Sequence, residues 1–257
     1  MLQGRLDPIC ELPRGGSAIA KMPPWLNGPV RNMTDLITKL VAGSTYRKTR
    51  LHDESGNWVS LSCALRNGPR AIASWVLAKL GHRPVKPWIS YDAQKTIEAF
   101  LGPTKRVLEF GSGMSTVWYA ERAGEVVSIE DSKPWFELVQ GIMCSRRVSN
   151  VRYHLAEGPG DYATIRPEDV GIGFDFVMID GSAREACAKV AISMTRPGGI
   201  IYLDNSDKCF NPVTGDIPAA RRLLLDFAER DEATVTTFTD FAPTQLFVQE
   251  GLLVTRR

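Results

Sequence analysis

Cysteine is sparse in this chain. There are five in 257 residues, and no two stand in a C-x-x-C or other ligand spacing. Cys10, Cys63, Cys144, Cys187 and Cys209 therefore read as free thiols of a reducing compartment, which argues against a disulfide frame or a zinc site. A charge excess is missing too. The 31 Lys and Arg against 29 Asp and Glu leave a formal net charge of +2, too little field to argue for nucleic acid or an anionic membrane as partner. No stretch approaches the ~18 apolar residues that a membrane helix requires. The opening residues lack a basic segment followed by an apolar run, so no secretory signal is expected and the cytoplasm is the expected location. The three histidines, His52, His82 and His154, fit no ligand spacing, and no internal repeat or low-complexity tract appears. The chain does have an ordinary soluble composition, 44% hydrophobic and 23% charged, at a length that suits one large domain or one domain with an appendage.

Residues 1–29 are rich in Pro and Gly without periodicity and read as an irregular arm. Helical spacing follows over 32–41 (Met33, Leu36, Ile37, Leu40, Val41) and over 71–80 (Ile72, Trp75, Val76, Leu80), where Gly81 is the stop. Ser90 is placed to cap a third helix ending at Gly102-Pro103. The N-terminal third is thus predicted to be helical and poor in strands. We assign 1–87 to an arm and helical lid and 88–257 to the main domain.

The pattern then changes. Short apolar strands are predicted at 106–110, 125–129, 151–155, 174–179 and 200–203, with helices at 114–123, after Ser132-Lys133-Pro134, and at 182–195. Pro134 falls in a first turn, where its missing N–H costs nothing, and Ser182 with Glu185 reads as a capping box. A helix over 219–229 and strands at 233–241 and 252–255 close the chain. Alternating strands and helices predict a doubly wound α/β domain, a mostly parallel sheet covered on both faces. The last two strands, with no helix between them, form an antiparallel pair at one edge.

Three features carry chemistry. The first is Val107-Leu108-Glu109-Phe110-Gly111-Ser112-Gly113, a strand running into a Gly-x-Gly turn and a helix. Such a turn lets a ligand approach the backbone, and the helix start offers free N–H groups to an anion. A dinucleotide site expects a third glycine where Thr116 stands, and does not expect Glu109 two residues before the first. A carboxylate there suits an ammonium. The second feature is Glu130, at the end of the next strand, where an acid can accept hydrogen bonds from ribose hydroxyls; Asp131 is its rival. The third is Asp180 after strand four with Asp204-Asn205 after strand five, on the side where such sheets bind ligands. Two carboxylates and an amide oxygen suit a hard cation such as Mg²⁺; the alternative is helix capping and a turn.

Taken together, residues 107–113, 127–130, 174–181 and 196–205 resemble the successive core motifs of class I S-adenosylmethionine-dependent methyltransferases, over about two thirds of the chain. Trp88-Ile89-Ser90-Tyr91 and Gly111-Ser112-Gly113-Met114-Ser115-Thr116 resemble a bacterial subgroup of that family. The resemblance implies a seven-stranded sheet with a C-terminal antiparallel hairpin. It also implies adenosylmethionine as cofactor, with Glu109, Gly111, Ser112 and Gly113 at its methionine end and Glu130 at its ribose. Ser115 replaces the family's usual third glycine, and its hydroxyl and N–H are placed to hold the cofactor carboxylate. Trp88 and Tyr91 are placed to cover the cofactor, and Asp180 borders it. Asp180, Asp204 and Asn205 also resemble the ligand set of metal-dependent catechol-type O-methyltransferases, with Asp180 and Asp204 as catalytic groups. The lysine those enzymes carry is Ala183 here, and the nearest cation is Arg184. The adenine contact is not legible in Glu157-Gly158-Pro159-Gly160-Asp161. The expected acceptor is a small molecule or glycan, methylated at oxygen. The rival readings are a metal-free N-methyltransferase, a nicotinamide-dependent reductase and a non-catalytic cofactor-binding scaffold.

Overall fold

The computed structural model describes residues 42–44, 46–208 and 215–257. The expected arm at 1–29 and helix at 32–41 lie outside the described residues. A short hairpin comes first, β1 (Ala42–Ser44) with β2 (Arg47–Thr49), then α1 (Leu61–Lys79) and α2 (Tyr91–Phe100). This hairpin corrects the expectation of a strand-poor start only slightly. The larger correction is α1, which begins ten residues before the predicted 71. Its true cap is Ser60, whose Oγ accepts from the Cys63 N–H at 3.2 Å. Pro69 inside it cannot donate to the carbonyl of Leu65, but Leu65 is exposed and water can serve that carbonyl. Ser90 caps α2 as predicted, accepting from the Ala93 N–H.

The main domain runs β3 (Arg106–Phe110), α3 (Met114–Ala120), β4 (Glu125–Glu130), α4 (Lys133–Ser145) and β5 (Val151–Leu155). Two single turns follow, α5 (Pro159–Tyr162) and α6 (Pro167–Val170), then β6 (Phe174–Ile179), α7 (Arg184–Met194), β7 (Thr195–Leu203), α8 (Ile217–Arg230), β8 (Thr234–Phe241) and β9 (Val248–Thr255). The seven-stranded sheet has the order β5-β4-β3-β6-β7-β9-β8. Its first five strands are parallel; β9 is antiparallel to both neighbours. The expected doubly wound sheet with its closing hairpin is present.

Strand alternation explains why helices cover both faces. Leu108, Phe110, Val127, Ile129, Val177 and Ile179 point to one side, where α7 and α8 supply Ala188, Ala191, Leu224 and Phe227. Val107, Val126, Phe176 and Met178 point to the other, against Ile97 of α2 and Trp118 and Tyr119 of α3. All six residues of β6 are buried, as its apolar run predicts for a central strand. Its one charge, Asp175, accepts from the Arg106 N–H at 2.8 Å and pairs with Arg196. The Pro197-Gly198-Gly199 turn is a bulge within β7, between the pairs Phe174–Thr195 and Phe176–Ile200.

The capping box at Ser182 and Glu185 does not form. Ala183 occupies the cap with a left-handed backbone, φ 47°, and makes no side-chain cap bond. The α7 N–H groups of Arg184 and Glu185 instead donate to the two carboxylate oxygens of Asp216, at 3.2 and 2.7 Å. A carboxylate 31 residues away outcompetes the local serine because it serves two orphan donors at once.

Candidate cofactor site and its neighbouring carboxyl pair

The parallel order puts the ends of β3, β4, β6 and β7 on one edge, and the sequence-predicted residues gather there. Gly111 has φ +95°, and a Cβ on it would lie 2.6 Å from the Gly181 N. Glycine is thus required twice over, by backbone conformation and by contact with the turn after β6. Asp180 and Gly181 both donate their N–H groups to the Phe110 carbonyl at 2.9 Å. The Gly-x-Gly loop and the Asp180 turn are therefore one unit. Gly181 also has no room for a side chain, because the Tyr162 hydroxyl stands over it.

Glu130 clasps this loop. One oxygen accepts from the Ser112 N–H at 3.1 Å and from the Ser112 Oγ at 2.7 Å, and the other from the Ser132 N–H at 2.9 Å. Ser112 in turn contacts the Tyr153 hydroxyl at 2.6 Å, and its carbonyl accepts from Trp135 Nε1 at 2.8 Å. The Arg83 guanidinium lies over both Trp135 and Trp88, so the segment before α2 reaches the loop through stacked rings.

Glu109 is fully buried, on the face of β3 that meets α3. It accepts from three hydroxyls: Ser115 at 2.5 Å, Thr116 at 2.6 Å and Ser128 at 2.7 Å. Burial raises its pKa to about 7, against the opposing pull of those hydroxyls. Thr116 also accepts from the Gly113 N–H at 3.0 Å. That N–H is consequently occupied at the place where a pyrophosphate-binding loop keeps a glycine. Sequence reasoning put an ammonium beside Glu109 but missed the hydroxyl set, because Ser128 sits on the neighbouring strand.

Asp180 and Asp204 are brought together at the ends of β6 and β7, close enough for their carboxyls to interact. Asp204 is buried, with 4% exposed, and burial first, then the charge of Asp180, raises it well above the usual carboxyl range. Asp180 is more open, its side chain 36% exposed, and is also raised, chiefly by desolvation. Arg184 fixes both turns by donating to the backbone carbonyls of Gly181, Asp180 and Asp204. Gln249 Nε2 donates to Asp204 Oδ1 at 3.1 Å. Asn205 has a left-handed backbone, φ 52°, and its Oδ1 accepts from Lys208 Nζ at 2.7 Å. Asp180 and Asp204 are ligand types that suit a hard cation, while the Asn205 Oδ1 is engaged by Lys208.

The N-terminal segment meets the turn after β7 at Asp207. Arg47 pairs with Glu54 at 2.8 Å and Asp207 at 3.5 Å, and the Glu54 N–H donates to Asp207 Oδ2 at 2.9 Å. Among the described residues, Glu54 Oε2 and Asp207 Oδ1 are buried without a hydrogen-bond partner. Tyr91 packs among Val59, Cys63, Ala71, Phe241 and Val248 under the Arg70 guanidinium, and hydrogen-bonds to Ser74. His154, left unassigned by sequence, meets Asp169 at 2.6 Å near the far edge of the sheet.

No protein-family model and no curated protein matches the chain. Solved structures do. The O-methyltransferase TomG from Streptomyces achromogenes, involved in tomaymycin synthesis and solved with SAM, is 22% identical over 72% of this chain and 87% of that one, with a TM-score of 0.53. Cofactor-bound Rv0187 from MTB is 24% identical over 76% and 95%, TM-score 0.54. An rRNA methylase from Streptococcus thermophilus is 10% identical over 68% and 97%, TM-score 0.51. At these identities the likeness establishes the fold: the Rossmann-like fold of S-adenosylmethionine-dependent methyltransferases.

Proposed function

We propose that the chain is an S-adenosylmethionine-dependent methyltransferase that acts on an oxygen of a small molecule or glycan. One observation carries the reading: the contact of Gly111 with Gly181, which joins a glycine loop clasped by Glu130 to the turn that bears Asp180. Cofactor pocket and proton acceptor thereby share one wall. When bound, the cofactor supplies a sulfonium methyl open to in-line attack. Glu130 would hold the ribose hydroxyls, Ser115 would hold the carboxylate at the start of α3, and Glu109 would face the ammonium. The occupied Gly113 N–H supports this cofactor over a nicotinamide dinucleotide.

Acceptor chemistry falls to Asp180 and Asp204. A carboxyl pair whose pKa values are raised is a stronger base than a solvated carboxylate, and Asp180 is the exposed member that takes the hydroxyl proton. In the metal-dependent alternative, the pair with Asn205 would instead hold Mg²⁺, which would supply Lewis acidity that lowers a hydroxyl's pKa. A net charge of only +2 favours a small acceptor over a polyanion such as RNA. The N-terminal segment that supplies Arg47 and Glu54 acts as the acceptor lid.

Calorimetry with adenosylmethionine, its demethylated product and NADH tests the cofactor. The first two should bind and NADH should not, and Glu130→Ala should weaken binding by about 1.5–3 kcal/mol. Tight NADH binding, or an unaffected Glu130→Ala protein, defeats the reading. With an acceptor from a labelled-methyl screen, Asp204→Asn should abolish turnover while cofactor affinity stays within about 1 kcal/mol. Loss of activity in chelator and its return with Mg²⁺ supports the metal. Full turnover in chelator leaves the carboxyl pair as a metal-free base.

A further inference from the structure

Away from the cofactor edge, three metal-ligating side chains meet where α1, α2 and the end of β8 converge. Cys63 Sγ lies 2.8 Å from Asp240 Oδ1 and 3.9 Å from Asp92 Oδ2, and the three donor atoms all fall within 4.8 Å of one another. Cys63 and Asp240 are buried, at 5% and 1% exposed. Asp92 keeps 29% of its side chain in solvent, which leaves a way in for an ion and a place for water.

The surroundings are built for these ligands. Asn67, fully buried one turn beyond Cys63, donates to Asp240 Oδ2 at 2.7 Å and reaches both Cys63 Sγ and Asp92 Oδ1 at 3.5 Å. The N–H groups of Phe241 and Asp92 donate to the two Asp240 oxygens. Donors that fix the orientation of first ligands in this way are the usual outer layer of a metal site. The charge balance gives an independent argument. The groups that donate to Asp240 (Cys63, Asn67 and two backbone N–H groups) are all neutral, while Arg66 and Lys95 pair with Asp92. A buried carboxylate is normally paired with a cation or bound to a metal.

We propose that Cys63, Asp92 and Asp240 bind a zinc ion that ties α1 and α2 to the end of β8. Binding forms an S–Zn bond and sends the thiol proton to solvent, with no change of oxidation state. The thiolate and two carboxylates, three negative charges, then face the zinc charge together with Arg66 and Lys95. The sulfur donor selects zinc over Mg²⁺. Without the ion, burial and the neighbouring Asp240 push the Cys63 thiol up to about 12, so the empty site holds a protonated thiol. Sequence spacing hides the set, since Cys63 is 29 residues from Asp92 and 177 from Asp240.

Cobalt is the probe. Full-length protein stripped with chelator and titrated with Co²⁺ should develop a thiolate-to-cobalt charge-transfer band that saturates at one equivalent and disappears on addition of Zn²⁺. Cys63→Ser should remove the band, and Cys144→Ser and Asp204→Asn should keep it, which separates this site from the carboxyl pair at the cofactor edge. Asn67→Ala should weaken cobalt affinity by about 10–100-fold. Absence of the band in wild-type protein, where folding is not at issue, overturns the proposal, and so does a band that survives Cys63→Ser.

Discussion

Glu109 gives the molecule a measurable pH signature. Its carboxyl is fully buried under three hydroxyls, and its pKa rises from the usual 4.5 to about 7. Between those values the native protein holds a proton that the unfolded chain has already released, so each step up in pH favours unfolding. At 1.36 kcal/mol per pH unit the interval is worth roughly 3 kcal/mol, present in full above pH 7 and absent below about 4.5. Glu109→Gln keeps the shape and removes the titration. Urea unfolding of both proteins at pH 5 and pH 8 should therefore show the variant gaining roughly 3 kcal/mol on wild type across the range. Other buried acids with raised pKa values, Asp207, Asp240 and Glu250 among them, titrate in both proteins and cancel in the difference. Parallel pH profiles would refute the reasoning, since they would mean that Glu109 is charged throughout. The proposed ammonium contact adds a second readout. Cofactor binding near pH 6 should release a proton, visible as a binding enthalpy that changes with the buffer's ionisation heat.

Gly111→Ala places a Cβ 2.6 Å from the Gly181 N on a backbone of φ +95°, and should cost about 1–3 kcal/mol in thermal unfolding while weakening cofactor binding; a variant as stable as wild type contradicts the close-approach argument. Asp216→Ala strips α7 of the acceptor for two N–H groups and should cost about 1 kcal/mol, only partly recovered by Asp216→Asn, whose amide offers one acceptor oxygen for the two; a neutral alanine variant would show that water serves the helix start equally well. Deleting residues 1–29 should leave cofactor binding nearly intact. Deleting through Gly81 removes Arg47, Glu54 and Asn67 from their partners and should abolish turnover; a soluble, fully active longer truncation rejects the lid.

The sequence by itself determined the layered α/β sheet and the place of the cofactor loop. Both rest on signals a few residues long: the alternation of Val107, Leu108, Glu109 and Phe110, the unbroken apolar run of β6, and a glycine pair at a strand end. Ser90 and Pro134 were legible for the same reason, because a cap and a first-turn proline act within one helical turn. Where a competitor lay far along the chain, local reading failed. Ser182 lost the start of α7 to Asp216, and the helix predicted from 71 began at Ser60 because packing against β8 carried it through Pro69. Tertiary structure alone decided that Glu109 meets Ser128 across two strands, that Gly111 presses on Gly181, and that Asp180 and Asp204 come together. It alone also drew Cys63, Asp92 and Asp240 together. Hydrogen bonds and carboxyl pairing act over about 3 Å in space, a distance that sequence separation does not encode.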